Sequence, residues 1–153
     1  MARERQYCTF FVDGLYFGIQ VERVQEIIRF QKMTPVPLAP KIVAGLINLR
    51  GQIVTALDIR HRLDLKEAEE GCEMTNVVTI SEDGHAVSLL VDEIGDVVEV
   101  GDASRELPPP TLRGAARKLI KEVHKLEDRL LLVLDLEMTI DVGEMNIREM
   151  AGS

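Results

Sequence analysis

The chain repeats itself, and the repeat restricts it to folds made of two similar units. Asp13-Gly14 and Asp83-Gly84 each separate two apolar-rich segments, the pattern of a tight β-hairpin turn. The first hairpin is predicted to pair residues 7–12 with 15–19, and the second 76–81 with 85–90. The two turns lie 70 residues apart (83 − 13). At the same offset Val21-Glu22-Arg23-Val24-Gln25-Glu26-Ile27-Ile28 falls on Val91-Asp92-Glu93-Ile94-Gly95-Asp96-Val97-Val98, apolar on apolar and acid on acid at six of eight positions. Val21 and Val24, like Val91 and Ile94, have the i, i+3 spacing of a buried helical turn. The β-branched pairs behind them favour strand.

A second match follows in the same order. Residues 49–59 (LRGQIVTALDI) resemble residues 126–136 (LEDRLLLVLDL) at an offset of 77 (135 − 58), with Asp58 on Asp135. Both read as a turn, a buried strand and a short helix opened by an aspartate N-cap. The growth in offset is absorbed by a longer connection around residues 104–116. Two matches in one order point to duplication. The predicted fold is therefore all-β with a few short helices. Two pseudo-repeated units, 7–65 and 76–140, each of five short strands, close into small barrels that pack together. Residues 66–75, polar and acid-rich, read as a loop, and 141–153 as a C-terminal tail with a frayed helix over 143–153. Pro35, Pro37, Pro40 and Pro108–Pro110 mark loops.

Composition narrows the function. Acids outnumber bases 26 to 18 for a net charge of −8, so a nucleic-acid polyanion is a poor partner. There is no apolar run of membrane-spanning length, and the charged first residues lack a secretory signal. A cytoplasmic location is expected. Cys8 and Cys72 have no metal or redox spacing and are expected to be reduced. His61, His85 and His124 stand apart from one another and read as surface residues. Phosphate-cradling and nucleophile-elbow motifs are missing, and 4% aromatic residues with no tryptophan offer no stacking platform. No catalytic, cofactor or metal site is expected. Binding by surface is left, with an enzyme assembled from distant residues as the rival reading.

The segments Gly45-Leu46-Ile47-Asn48-Leu49-Arg50-Gly51, Ile53-Val54 and Leu57-Asp58-Ile59-Arg60 closely resemble the family motif of CheW-like domains. Val24-Gln25-Glu26-Ile27, Leu89-Leu90-Val91-Asp92, and Asp128-Arg129 with 132–136 resemble its other landmarks. The resemblance spans about residues 6–140. It implies two SH3-like five-stranded β-barrels and a non-catalytic scaffold. Its partners would be the regulatory domain of a CheA-type histidine kinase and the cytoplasmic tip of methyl-accepting chemoreceptors. The chain would be cytoplasmic and recruited to the membrane-associated array. A CheW-like adaptor of a pathway for pili, surface sensing or development is the alternative. At this length the chain has no room for kinase or receiver domains and resembles the standalone coupling protein.

The resemblance also suggests sites. Cys8, Val21 and Val24 become candidates for the kinase interface on the first barrel, though aliphatics on a short helical turn equally suit a core. Glu26, Ile47, Leu49 and Arg50 become candidates for the receptor interface in the groove between barrels. Arg50-Gly51 reads as a turn with glycine left-handed, and the resemblance suggests Glu26 as the acid for Arg50. Thr55 stands where the family often has proline, and Glu122 and His124 where it usually has glycine.

Overall fold

The computed structural model describes residues 4–29 and 31–141. The tail expected over 141–153 and its helix lie, from residue 142 on, outside the described residues. The strands are β1 (Arg5–Val12), β2 (Leu15–Gln20), β3 (Val24–Ile28), β4 (Val43–Leu49), β5 (Gln52–Asp58), β6 (Thr75–Ile80), β7 (Ala86–Val91), β8 (Glu93–Val100), β9 (Arg105–Glu106), β10 (Ile120–Lys125) and β11 (Leu130–Leu134). Helices α1 (Ile59–Arg62), α2 (Gly114–Leu119) and α3 (Leu136–Ile140) are short, and 3-10 turns cover Val21–Arg23 and Asp102–Ser104. The strands form two sheets, ordered β8-β1-β2-β11-β10-β9 and β3-β6-β7-β5-β4.

The duplication is visible in the topology. Exchanging β1 with β6, β2 with β7, β3 with β8, β4 with β10 and β5 with β11 converts one strand order into the other, β9 aside. Even β9 has a counterpart: it pairs with β10, and an isolated bridge joins Thr34 to Leu46 of β4. The sheets do not, however, coincide with the halves 7–65 and 76–140. Each half lends its hairpin to the other half's sheet, so that β1 pairs with β8 and β6 with β3. The exchange follows from the crossovers. The chain leaves β2 through Val21–Arg23 into the opposite sheet, and leaves β7 through Asp92 in the same way.

Period-two alternation then divides the side chains among three cores. On β1 and β11, Tyr7, Leu131 and Val133 enter a cluster confined to the six-stranded sheet. On β4, β5, β6 and β7, Ile47, Val54, Val78 and Ala86 enter a cluster confined to the five-stranded sheet. Their neighbours in sequence, such as Phe10, Val12, Val77, Val87, Leu132 and Leu134, point the other way into a shared core between the sheets. Every sheet is thus lined on both faces, and the shared core makes the two sheets one packed body.

Local chemistry sets the turns. Asp13 and Gly14 both have positive φ (51° and 76°), which defines a two-residue type I′ turn between Val12 and Leu15. The second hairpin turns over three residues instead. Gly84 N donates to Ser81 O (3.0 Å), Ser81 N donates to His85 O (2.9 Å), and only Gly84 is left-handed. Asp58 and Asp135 cap α1 and α3 as expected, accepting from Arg60 N and Met138 N. The helical turn predicted for 91–94 does not form. Asp92 N donates to Phe11 O (3.0 Å), which feeds the chain directly into β8 along β1.

Thr55 is fully buried on β5, and its hydroxyl has no hydrogen-bond partner. An unsatisfied buried hydroxyl is costly, and valine has nearly the same shape. Thr55→Val is therefore expected to stabilise the fold by about 1 kcal/mol, read as a higher urea midpoint at unchanged m-value. A lower midpoint would mean that an ordered water satisfies the hydroxyl.

Candidate functional site

The residues singled out in the sequence gather at two places. The first is the β4–β5 turn. Arg50 and Gly51 both have positive φ (51° and 87°), so arginine as well as glycine is left-handed in this two-residue turn. Asn48 supports it by accepting from Gly51 N (2.9 Å). Left-handed backbone is unfavourable for arginine, so local stability alone does not explain Arg50. Its guanidinium donates to the Glu26 carboxylate on β3. β3 and β4 are the two outer strands of the five-stranded sheet, so the pair links the turn at the end of β4 to the opposite outer strand. Glu26 holds the Arg50 guanidinium above its ordinary pKa through this hydrogen bond and its charge. Arg50 remains 70% exposed, available to a partner.

The other two residues of this set differ from one another. Leu49 is half-buried against the inner cluster. Ile47 is 1% exposed and belongs to that cluster, so it is a core residue and not a surface contact. Strand alternation puts it there, two residues from Leu49 and facing Val54 in the register. Exposed Ile53, opposite Asn48, lies on this edge instead.

The second place is the crossover from β2 to β3. Cys8, Val21 and Val24 are each half-buried, but they do not sit on one sheet. Cys8 lies on β1 in the six-stranded sheet, Val24 opens β3 in the five-stranded sheet, and Val21 lies in the 3-10 turn between them. Burial raises the Cys8 thiol pKa, and the Glu22 carboxylate from that turn raises it further. Both cysteines are free. Val24 also packs on the shared core. Val97, 58% exposed on β8 directly opposite Cys8, joins this surface and was not singled out in the sequence. Ile27, at the equivalent position on β3, is exposed too, so the repeat carries an outward aliphatic at this place in both halves.

A polar cluster on the six-stranded sheet also escaped the sequence reading. His124 is not a surface residue but 2% exposed. Its Nδ1 lies 2.8 Å from Ser104 Oγ and its Nε2 3.1 Å from Glu122 Oε2, while Tyr7 OH donates to the same carboxylate (3.4 Å). Arg105 donates to Glu122 Oε1 (3.0 Å). These partners come from β1, the second 3-10 turn, β9 and β10, which explains how a histidine is buried here. Ser104, His124 and Glu122 form a hydrogen-bonded chain, but the imidazole is closed to substrate. Among the described residues no group of three or more metal-ligating side chains exists. No helix of the described chain is long and apolar enough to cross a membrane.

Burial pushes the Glu122 carboxyl upward, but the His124 hydrogen bond and the charges of Arg105, His124 and Arg5 outweigh it and hold the pKa below the ordinary value. A depressed folded-state pKa contributes stability above the unfolded value, about 4.3, that is lost as pH falls through the folded value. Urea titrations from neutral to acid pH are expected to show Glu122→Gln with a flatter acid limb than wild type. Parallel limbs would show that Glu122 does not contribute.

Comparison with known proteins agrees with this geometry. The model of the CheW-like domain matches residues 6–144. The Bacillus subtilis chemotaxis protein CheW is 34% identical over 133 residues, covering 87% of this chain and 85% of that protein. Protein FrzA of Myxococcus xanthus is 26% identical over 113 residues, covering 74% and 69%. The crystal structure of the scaffolding protein TtCheW from Thermoanaerobacter tengcongensis superposes with a TM-score of 0.80 at 22% identity, covering 94% of this chain and 97% of that one. With the duplicated strand order, the Asn48–Gly51 turn and its ion pair in place, the chain belongs to the CheW-like domain family.

Proposed function

We propose that this member of the family is the adaptor that joins methyl-accepting chemoreceptors to a CheA-type histidine kinase in a cytoplasmic, membrane-associated array. The chain is a scaffold of chemotaxis signalling, not an enzyme. The observation that carries the reading is the Glu26–Arg50 pair. A left-handed arginine at an exposed turn adds little stability as an ion pair yet holds a cation in a fixed place at the sheet edge. Receptor contact is proposed at Arg50, Glu26 and the Leu49–Ile53 edge, and kinase contact at Cys8, Val21, Val24 and Val97. A signal would pass as a difference in interaction energy between receptor states, with no chemistry in the adaptor. The second reading, an adaptor of a chemosensory pathway for pili, surface sensing or development, would use like interfaces and differ in its partners.

Arg50→Gly tests the reading because its two effects run in opposite directions. Glycine relieves the left-handed strain, so the thermal midpoint should stay level or rise. Affinity for the receptor's signalling tip, measured by calorimetry, should fall by about tenfold or more, as for loss of a charged interface contact, while binding to the kinase regulatory domain persists. Unchanged receptor affinity would remove Arg50 from the interface.

A further inference from the structure

Two ion-pair clamps hold the crossovers between sheets, each joining a short helix to a crossover, and their signs are opposite. In the first, Arg60 of α1 grips Asp92, at the β7–β8 crossover, with two bonds (Nε 3.0 Å, Nη2 2.6 Å). It also lies 3.6 Å from Asp13 in the first hairpin turn, whose backbone N donates to Asp92 (2.8 Å). In the second, Glu137 of α3 pairs with Arg23, at the β2–β3 crossover, and accepts from Glu82 N in the second hairpin turn (3.0 Å). Arg23 further donates to Ile80 O (2.9 Å). Positions 60 and 137 are equivalent at the repeat offset of 77 (137 − 60), and Arg23 lies one residue beyond the equivalent of Asp92 (92 − 70 = 22). The helix contributes the base in one half and the acid in the other.

We infer that this sign reversal is a recognition code by which only unlike halves of the duplicated chain pair. The fold needs each half to give its hairpin to the other, and the halves are similar enough for a half to meet its own kind on a second copy. Two first halves paired in this way would set Arg60 of one chain against Arg23 of the other, the crossover residue that is half-buried as Asp92 is; Glu22, at the exact offset, is exposed. Two second halves would set Glu137 against Asp92. Like charges at such partly buried positions repel. Unlike halves are complementary, and the short tether of residues 63–74 keeps them at high effective concentration within one chain. The surface so coded fits only a half of the opposite type. It keeps like halves of two copies from trading hairpins, and the tether favours the unlike half of the same chain.

The test exchanges the charges of one clamp in the full-length chain. Arg23→Glu with Glu137→Arg keeps an ion pair in place but makes both halves carry the base on the helix and the acid at the crossover. Wild type and variants are unfolded in urea, refolded over a range of protein concentrations and sized by light scattering. Wild type should refold to monomer throughout. The exchanged variant should give a dimer fraction that rises with concentration. Reversing the second clamp as well (adding Arg60→Glu and Asp92→Arg) restores complementarity and should restore monomer. Glu137→Gln, which weakens a clamp without making the halves alike, should lower the urea midpoint but stay monomeric. If the first exchange does not fold, Arg60→Glu with Asp92→Arg alone gives the same readout. An exchanged variant that folds and stays monomeric at every concentration overturns the proposal, as does a dimer from Glu137→Gln.

Discussion

Val97→Asp is expected to weaken binding to the kinase regulatory domain by about 100-fold or more, the equivalent of roughly 2.7 kcal/mol at an interface hot spot. Val97 projects from the outer strand β8 beside Cys8, and at 58% exposure it contributes little to either core. A carboxylate there remains hydrated in the free protein but must be stripped of water in an apolar contact. The exposure of Val97 makes it a better probe than Val24. Val24 packs on the shared core, so an aspartate there would destabilise the fold and confound the loss of binding. Calorimetry reads the affinity, and an unchanged thermal midpoint shows that the fold is intact. Binding at wild-type strength would move the kinase contact elsewhere.

Gly45→Ala is expected to destabilise the protein by about 2–3 kcal/mol, the upper range for forced overpacking. A β-carbon at Gly45 would lie 2.8 Å from the Thr34 carbonyl oxygen and 3.0 Å from Met33 Cβ. That oxygen cannot retreat cheaply. It accepts from Leu46 N (2.8 Å) while Thr34 N donates to Leu46 O (2.8 Å), the bridge that ties the β3–β4 connection to the outer strand β4. Gly51→Ala meets no atom within 4 Å and costs only its left-handed conformation, about 1–2 kcal/mol. Urea unfolding should therefore rank Gly45→Ala below Gly51→Ala. The reverse order would mean that the connection yields.

Features set by neighbouring residues were legible in the sequence. Asp13-Gly14 encodes a turn type, and Asp58 and Asp135 cap the helices that follow them. The internal offsets foretold a duplicated strand order, and the matching topology shows why they exist. The exchange of hairpins was not legible, because alternation says which faces are buried and not which strand lies alongside. The helical spacing of 91–94 misled for a related reason: Phe11, distant in sequence, claims the Asp92 amide. Family resemblance brought Glu26 and Arg50 together, and the structure forms that pair. It also drew in Ile47, whose burial depends on facing strands. His124 was misread because its partners, Ser104 and Tyr7, approach only through the fold.

The coupling role is tested most directly by reconstituting receptor, CheA-type kinase and this chain, and measuring kinase autophosphorylation with and without it. The chain should raise receptor-dependent kinase activity many-fold, attractant should suppress that activity, and Arg50→Gly or Val97→Asp should each abolish the gain. Receptor control of the kinase that is indifferent to the chain, with every component folded, would contradict its role as the coupling adaptor.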